Sequence, residues 1–274
     1  MKYALAAATL ALTLGIQPAF AGVVITQCQS ITGGMGNRTS NQTLMVQGNK
    51  QKMVTDSREI ITDLDAGKLY VVQPSQKSYM SVPFPPQGPM GQMLARNAGL
   101  LDFKKVGTTR TIAGYPCTDY SGSADAMGGS YTITECFSTA APGAKDFSHF
   151  LNALAGKLKT AGLPTPKSGI PAGLPLAADS TIKMGSFTPP AGMSKDQADK
   201  IRAMIAKRPP IVSKTVVSSV AVKDLPADTF TIPTGFTERK PPAPMPMRPA
   251  GAGAPAGAGS PGAAPLPLQS PPKQ

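Results

Sequence analysis

Six short runs of strand-forming residues, each closed by turn residues, fill positions 23–82 and constrain this chain more than any other feature. Residues 23–31 lead into a glycine-rich turn at 33–37. Runs 43–47 and 52–55 flank Gly48-Asn49, runs 59–64 and 68–72 flank Asp65-Ala66-Gly67, and 77–82 follows Pro74-Ser75. Evenly spaced strands joined by tight turns specify an antiparallel meander. Moving the turn at Ala66-Gly67 by one residue exchanges the buried and exposed faces, so the pattern leaves the register open.

Beyond the meander the chain reads as more strand with a few helices. After a proline-rich stretch at 84–89, Met90, Met93, Leu94 and Leu101 recur at helical spacing. Strands are expected at 103–112, 115–121 and 130–137, and a helix at 146–158 whose apolar stripe is Phe147, Phe150, Leu151, Leu154 and Leu158. His149 falls off that stripe and reads as solvent-facing. A Pro/Gly-rich loop is expected at 161–175, then strands at 181–187 and 211–222. Between them Ser194-Lys195-Asp196-Gln197 has the spacing of a capping box, opening a helix with Ala198, Ile201 and Ile205 on one face, and Pro209-Pro210 ends it. Phe230-Thr231-Ile232-Pro233 reads as a last edge segment, because proline cannot donate to a ladder. The fold class is therefore mainly β with accessory helices.

Both ends differ from this middle. Residues 1–21 have the three parts of a secretory signal: Lys2, an apolar run at 4–16, and Ala19-Phe20-Ala21 after Pro18. A 13-residue run is too short for a hydrocarbon core that takes ~20 residues, so no transmembrane segment is expected. The mature domain is then 22–240, in the periplasm or outside the cell. Residues 241–274 hold 11 prolines, no aromatics and no acids, and read as a disordered basic tail: a spacer, or an arm for anionic envelope polymers. The formal net charge of +12 points to anionic neighbours. No track of interleaved basic and aromatic residues appears, so nucleic acid is not an expected partner.

In an exported chain cysteines read first as disulfides. Folding 115–137 as a hairpin about its middle makes each residue face the one whose number complements it to 253, and Cys117 and Cys136 are such a pair. Opposed residues lie within bridging distance, and closing a loop of about 20 residues is worth roughly 3 kcal/mol. Cys28 is left unpaired, as a buried thiol or as one half of an intermolecular bridge.

Catalytic patterns are missing. A Ser/His mechanism has only His149 to use, and no Gly-x-Ser-x-Gly elbow is present. Asp63 and Asp65 fit turn chemistry better than paired acid-base work. Gly33-Gly34-Met35-Gly36 lacks the Lys-Ser/Thr of a phosphate loop. Neither a cofactor nor a metal centre of the usual His/Cys kind is expected. The 13 methionines suit a core or an adaptable apolar pocket, with Met245-Pro246-Met247 as a soft-ligand alternative for Cu(I).

Four segments together resemble a known family: 60–72 (Ile60-Ile61-Thr62-Asp63-Leu64-Asp65 onward), 76–80, 107–120 (Gly107-Thr108-Thr109-Arg110 to Tyr120), and 230–236. They are similar to an exported bacterial family of unknown function, related in shape to the periplasmic lipoprotein carriers LolA and LolB. The resemblance spans about 23–236. It implies a curved antiparallel half-barrel with helices over its concave side, and a non-enzymatic role in holding a lipid, lipoprotein or other apolar ligand. The candidate covers or pocket walls are Met90, Met93, Leu94, Phe147, Phe150, Leu151 and Leu154. A cell-envelope structural or stress protein that docks through its basic tail is the alternative from a different class.

Overall fold

The computed structural model describes residues 22–33, 36–86, 102–126, 129–163, 165–166, 168–185 and 193–240. The expected signal (1–21), the Met90–Leu101 helix and the tail (241–274) lie outside these residues, as do Met245 and Met247. The meander forms as β1 (Gly22–Thr32), β2 (Arg38–Gln47), β3 (Lys50–Val54), β4 (Glu59–Asp63), β5 (Lys68–Gln73) and β6 (Ser78–Pro83). A second run follows: β7 (Lys104–Ile112), β8 (Tyr115–Ala126), β9 (Gly129–Ser138), helix α1 (Ala144–Thr160), β10 (Leu174–Lys183), helix α2 (Lys195–Ala206), β11 (Ile211–Lys223) and β12 (Thr237–Glu238).

The twelve strands make one open sheet in the order β12-β6-β5-β4-β3-β2-β1-β11-β10-β9-β8-β7. All neighbours are antiparallel except β12, which lies parallel to β6. β1 joins the two halves, pairing with β2 on one side and with β11, far along the chain, on the other. The sheet is coiled: β7, at the far edge, comes back towards β11 four strands inward. The family resemblance implied this mainly β, unclosed architecture.

Two cores lie on opposite faces. One gathers Val23, Ile25, Val46, Leu174, Leu176 and Val217 around Phe147 and Phe150 of α1. The other joins Ile61 and Val72 to Phe230, with Tyr70, Tyr79, Ile232 and Phe236 packed around them. On β4, Ile61 belongs to this second core, while its neighbour Ile60 faces Met53 and Val71 on the opposite side. This alternation settles the register that the turn at Ala66-Gly67 left open.

Three expectations need correction. β10 starts at Leu174, inside the expected loop, and ends at Lys183 rather than 187. Pro175 is tolerated because the β9–β10 pairing shifts between Pro175 and Ala177. The 230–233 segment is not a strand. Phe230 closes a short 3-10 turn (Ala227–Phe230) and is buried in the second core, and the edge strand comes later at Thr237–Glu238. In the β8–β9 hairpin facing residues complement to 255, so Cys136 faces Asp119 rather than Cys117. The two-residue offset keeps both cysteines on one face. Their Cα atoms are 5.3 Å apart and the disulfide forms.

The capping signal at Ser194 is realised: its side chain accepts a hydrogen bond from the Gln197 backbone N–H at 3.3 Å. The α1 start is different. Gly143 takes a left-handed conformation (φ 73°), and a Cβ there would strike Val23 Cγ2, so the helix begins where only glycine lets it approach β1.

A coiled sheet with a polar floor and a basic rim

Helix α1 fills one end of the hollow. Its period-3.6 stripe turns Phe147 (4 % exposed) and Phe150 (0 %) into the core, with Leu151 and Leu154 half-buried beside them. Ser148 ties the helix to the start of β10: its Oγ accepts from Gly173 N at 2.9 Å. Four of the seven expected cover residues are therefore core and helix flank. Met90, Met93 and Leu94 lie outside the described residues.

Next to this plug the same face turns polar. Alternation along β1 places Gln27 and Gln29 on the face of Val23 and Ile25. Gln27 Nε2 donates to Gln42 Oε1 at 2.9 Å, Gln42 Nε2 to Gln29 Oε1 at 2.7 Å, and Gln29 Nε2 to Ser213 Oγ at 3.3 Å. The pairing runs on across the sheet: Gln29 faces Thr215, Thr215 faces Ala178, and Ala178 faces Glu135. A cavity of about 230 Å³ opens there, lined by Gln27, Leu44, Glu135, Leu176, Thr215 and Val217 among others. Burial pushes the Glu135 carboxyl up to about 7.

This carboxyl predicts an unusual pH dependence. Unfolded, Glu135 loses its proton near 4.5, whereas folded it keeps it to about pH 7. The folded state thus binds more protons between these values. The stability this provides is complete below about pH 4.5 and lost as pH rises through about 7. Glu135→Gln removes the effect, and urea unfolding at pH 8 is expected to find the variant more stable than wild type by about 2 kcal/mol. Equal stabilities at pH 8 would count against a buried carboxyl here.

At the opposite end from α1, the rim holds a hollow of about 770 Å³. Ile31, Ile211, Met184 and Pro209 supply its apolar wall, and Arg38 and Arg208 stand beside them. The two arginines come from different connections: Arg38 opens β2 after the glycine-rich turn, and Arg208 follows α2 just before Pro209-Pro210.

The remaining candidates are structural or exposed. Asp63 is a turn residue. Burial pushes its carboxyl up, but the Ala66 and Asp65 amides (2.8 and 3.0 Å) and Lys50 (3.1 Å) outweigh this and hold it below its ordinary value. Asp119 takes Arg110 Nε and Nη2 at 3.1 and 2.8 Å, bracing β7 against β8 beside the disulfide. His149 is exposed, as the helical pattern indicates. Cys28 is exposed on the opposite face from the glutamines, which removes the buried-thiol alternative. A maleimide is therefore expected to label one cysteine in the native chain, still one after unfolding without reductant, and all three only after reduction. Native protection of Cys28 would contradict the placement.

Among the described residues no group of three or more His, Cys, Asp or Glu side chains is placed to hold a metal ion, and no helix is long and apolar enough to cross a membrane. Sequence reasoning missed Glu135 and the glutamines. The signal for Glu135 was there: in Tyr131-Thr132-Ile133-Thr134-Glu135-Cys136-Phe137 an acid occupies the same face as Ile133 and Phe137. The glutamines gave no comparable signal, because alternating polar residues on a strand read as a solvated face.

Residues 27–139 match a family model described as Domain of unknown function (DUF4412). The matched stretch includes both bridged cysteines, Arg38, Gln42 and Glu135. A search of curated proteins found no match. Among solved structures, PNGF-II is 11% identical with a TM-score of 0.40, covering 81% of this chain and 31% of its own. The chain thus spans about a third of that protein's length. A DUF1329 family protein from Desulfovibrio piger is 8% identical (TM-score 0.30, 76% of this chain, 89% of that one). The LolA superfamily protein NE2245 from Nitrosomonas europaea is 11% identical (TM-score 0.28, 78% and 91%). With each of these TM-scores below 0.5, the architecture rests on the strand pairing itself.

Proposed function

We propose that this chain is an exported, non-enzymatic binding module for a lipid or another apolar ligand with an anionic head. The observation that carries this reading is the rim hollow of about 770 Å³, where an apolar wall meets Arg38 and Arg208. A ligand of this kind buries its chain against Ile31, Ile211 and Met184 and leaves its charge to the guanidinium groups. The disulfide supports an oxidising compartment, and the periplasm suits both the signal pattern and this ligand class.

Titration with a fluorescent polyene fatty acid tests the reading. Saturable binding displaced by palmitate is expected, weakened about three- to tenfold in Arg38→Ser/Arg208→Ser, since each exposed charge pair is worth about 0.2–1 kcal/mol. Absence of saturable binding, or a double variant that binds as wild type, would overturn it. Gentle extraction followed by native mass spectrometry gives a second readout: a co-purified acyl molecule supports the proposal.

A further inference from the structure

The cavity at Glu135 has a donor-acceptor balance of its own. The glutamine ladder has a direction: each Nε2 donates onward, from Gln27 to Gln42 to Gln29 to Ser213. Its first member therefore keeps an amide oxygen, and among the described residues no hydrogen bond to Gln27 Oε1 is present. Gln27 lines the same cavity as the Glu135 carboxyl. Gln27, Glu135 and Thr215, each with a side-chain oxygen able to accept, thus line one small space whose other walls include Leu44, Leu176, Ala177 and Val217. The cavity holds no cationic side chain, although the whole chain carries 27 lysines and arginines. Glu135 and Gln27 are half-buried, and with no cationic side chain in the lining their oxygens are left for donors that a ligand brings.

We propose that the Glu135 cavity is a binding site for a primary ammonium group carried on a short apolar stem. An ammonium brings three donors and one positive charge, matching the Glu135 carboxylate, Gln27 Oε1 and Thr215 Oγ1. The stem lies against Leu44, Leu176 and Val217. A volume of about 230 Å³ equals roughly seven waters at ~30 Å³ each, which suits a ligand of five or six heavy atoms. An alcohol or a carboxylate of the same length fits the space but not the acceptors. The site is separate from the rim hollow, so the failure of fatty-acid binding leaves it untouched.

Charge on Glu135 is set by few neighbours. Tyr120 faces it from β8 and Tyr131 lies on its own strand. Asp179 on β10 and Lys214 on β11 flank Ala178 and Thr215, and alternation turns them to the other face. Gln27 and Gln42 are uncharged, and no α1 residue lines the cavity. Ammonium binding selects the carboxylate, so each binding event at pH 7 releases about half a proton, the share still on Glu135 in the free chain.

Isothermal titration of the full chain with n-butylammonium chloride is the test, with butan-1-ol and sodium butyrate as matched probes. Expected at pH 8 is saturable n-butylammonium binding at least about tenfold tighter than either probe, and about tenfold weaker in Glu135→Gln. Repeating the titration at pH 7 in two buffers of different ionisation enthalpy reads the released proton directly on wild-type protein, with no variant needed. Competition by Nα-acetyl-lysine methylamide identifies the source: displacement admits a protein lysine, and its failure restricts the site to free amines. Equal affinity for butan-1-ol, no proton release at pH 7, or undiminished binding by Glu135→Gln would overturn the proposal.

Discussion

Phe150→Ala is expected to cost about 3–5 kcal/mol, lowering the melting temperature by roughly 10 °C or more in a domain of this size. Phe150 is fully buried at the point where α1 meets β1, β2 and β10, with Val23, Val46 and Leu176 in the same cluster. Truncation leaves a void that three strands and a helix cannot collapse together. Leu154→Ala, on the same helix but half-buried, is expected to cost less than half as much. The comparison separates two roles for α1. A permanent plug gives this steep difference in urea unfolding, whereas a helix that swings out to admit a ligand gives small and similar costs at both positions. Near-equal losses would return α1 to the role of a movable cover.

Opening the Cys117–Cys136 bridge is the second large effect. A closed loop of this length, with a sequence separation of 19, restricts the unfolded chain by roughly 3 kcal/mol. Both sulfurs lie in the same core as Phe147 and Phe150, so Cys117→Ala/Cys136→Ala keeps the packing nearly apolar and isolates the loop term. Thermal melts are expected to fall by about 6–12 °C, with the same loss in wild type under reductant and no further loss when the variant is reduced. A variant that melts with the wild type would mean that Arg110–Asp119 and the hairpin ladder already fix this region.

Local patterns gave the strands and α1 because each is written in its own residues. Alternation around Gly48-Asn49 and Asp65-Ala66-Gly67 was enough for β3 to β5 and for the second half of β2, whose first residues, 38–42, went unread, and the Phe147–Leu158 stripe was enough for the helix. The errors fall where a distant partner decides. Pro175 reads as loop until β9 supplies a shifted register that accepts it. Phe230 and Ile232 alternate like a strand, but they are anchors for the second core on β4 and β5. The cysteine register was displaced because the hairpin tip, with Ala126 facing Gly129, lies one residue beyond the assumed midpoint. The polar floor was the least legible part. Gln27, Gln42, Gln29 and Ser213 join into one ladder only because β1 sits between β2 and β11, and nothing local specifies that neighbour.

That same placement orders events in time. The first strand finds its second partner only when residues near 211–223 exist, since Gly22 faces Lys223 across the centre of the sheet. Until then the nascent chain carries an unsatisfied edge along β1, and closure awaits a contact spanning most of the domain. Such topologies fold slowly and late. A polypeptide built this way holds its two halves apart as separate ribbons until nearly all of it has been made, and only the last long strand welds them into one sheet.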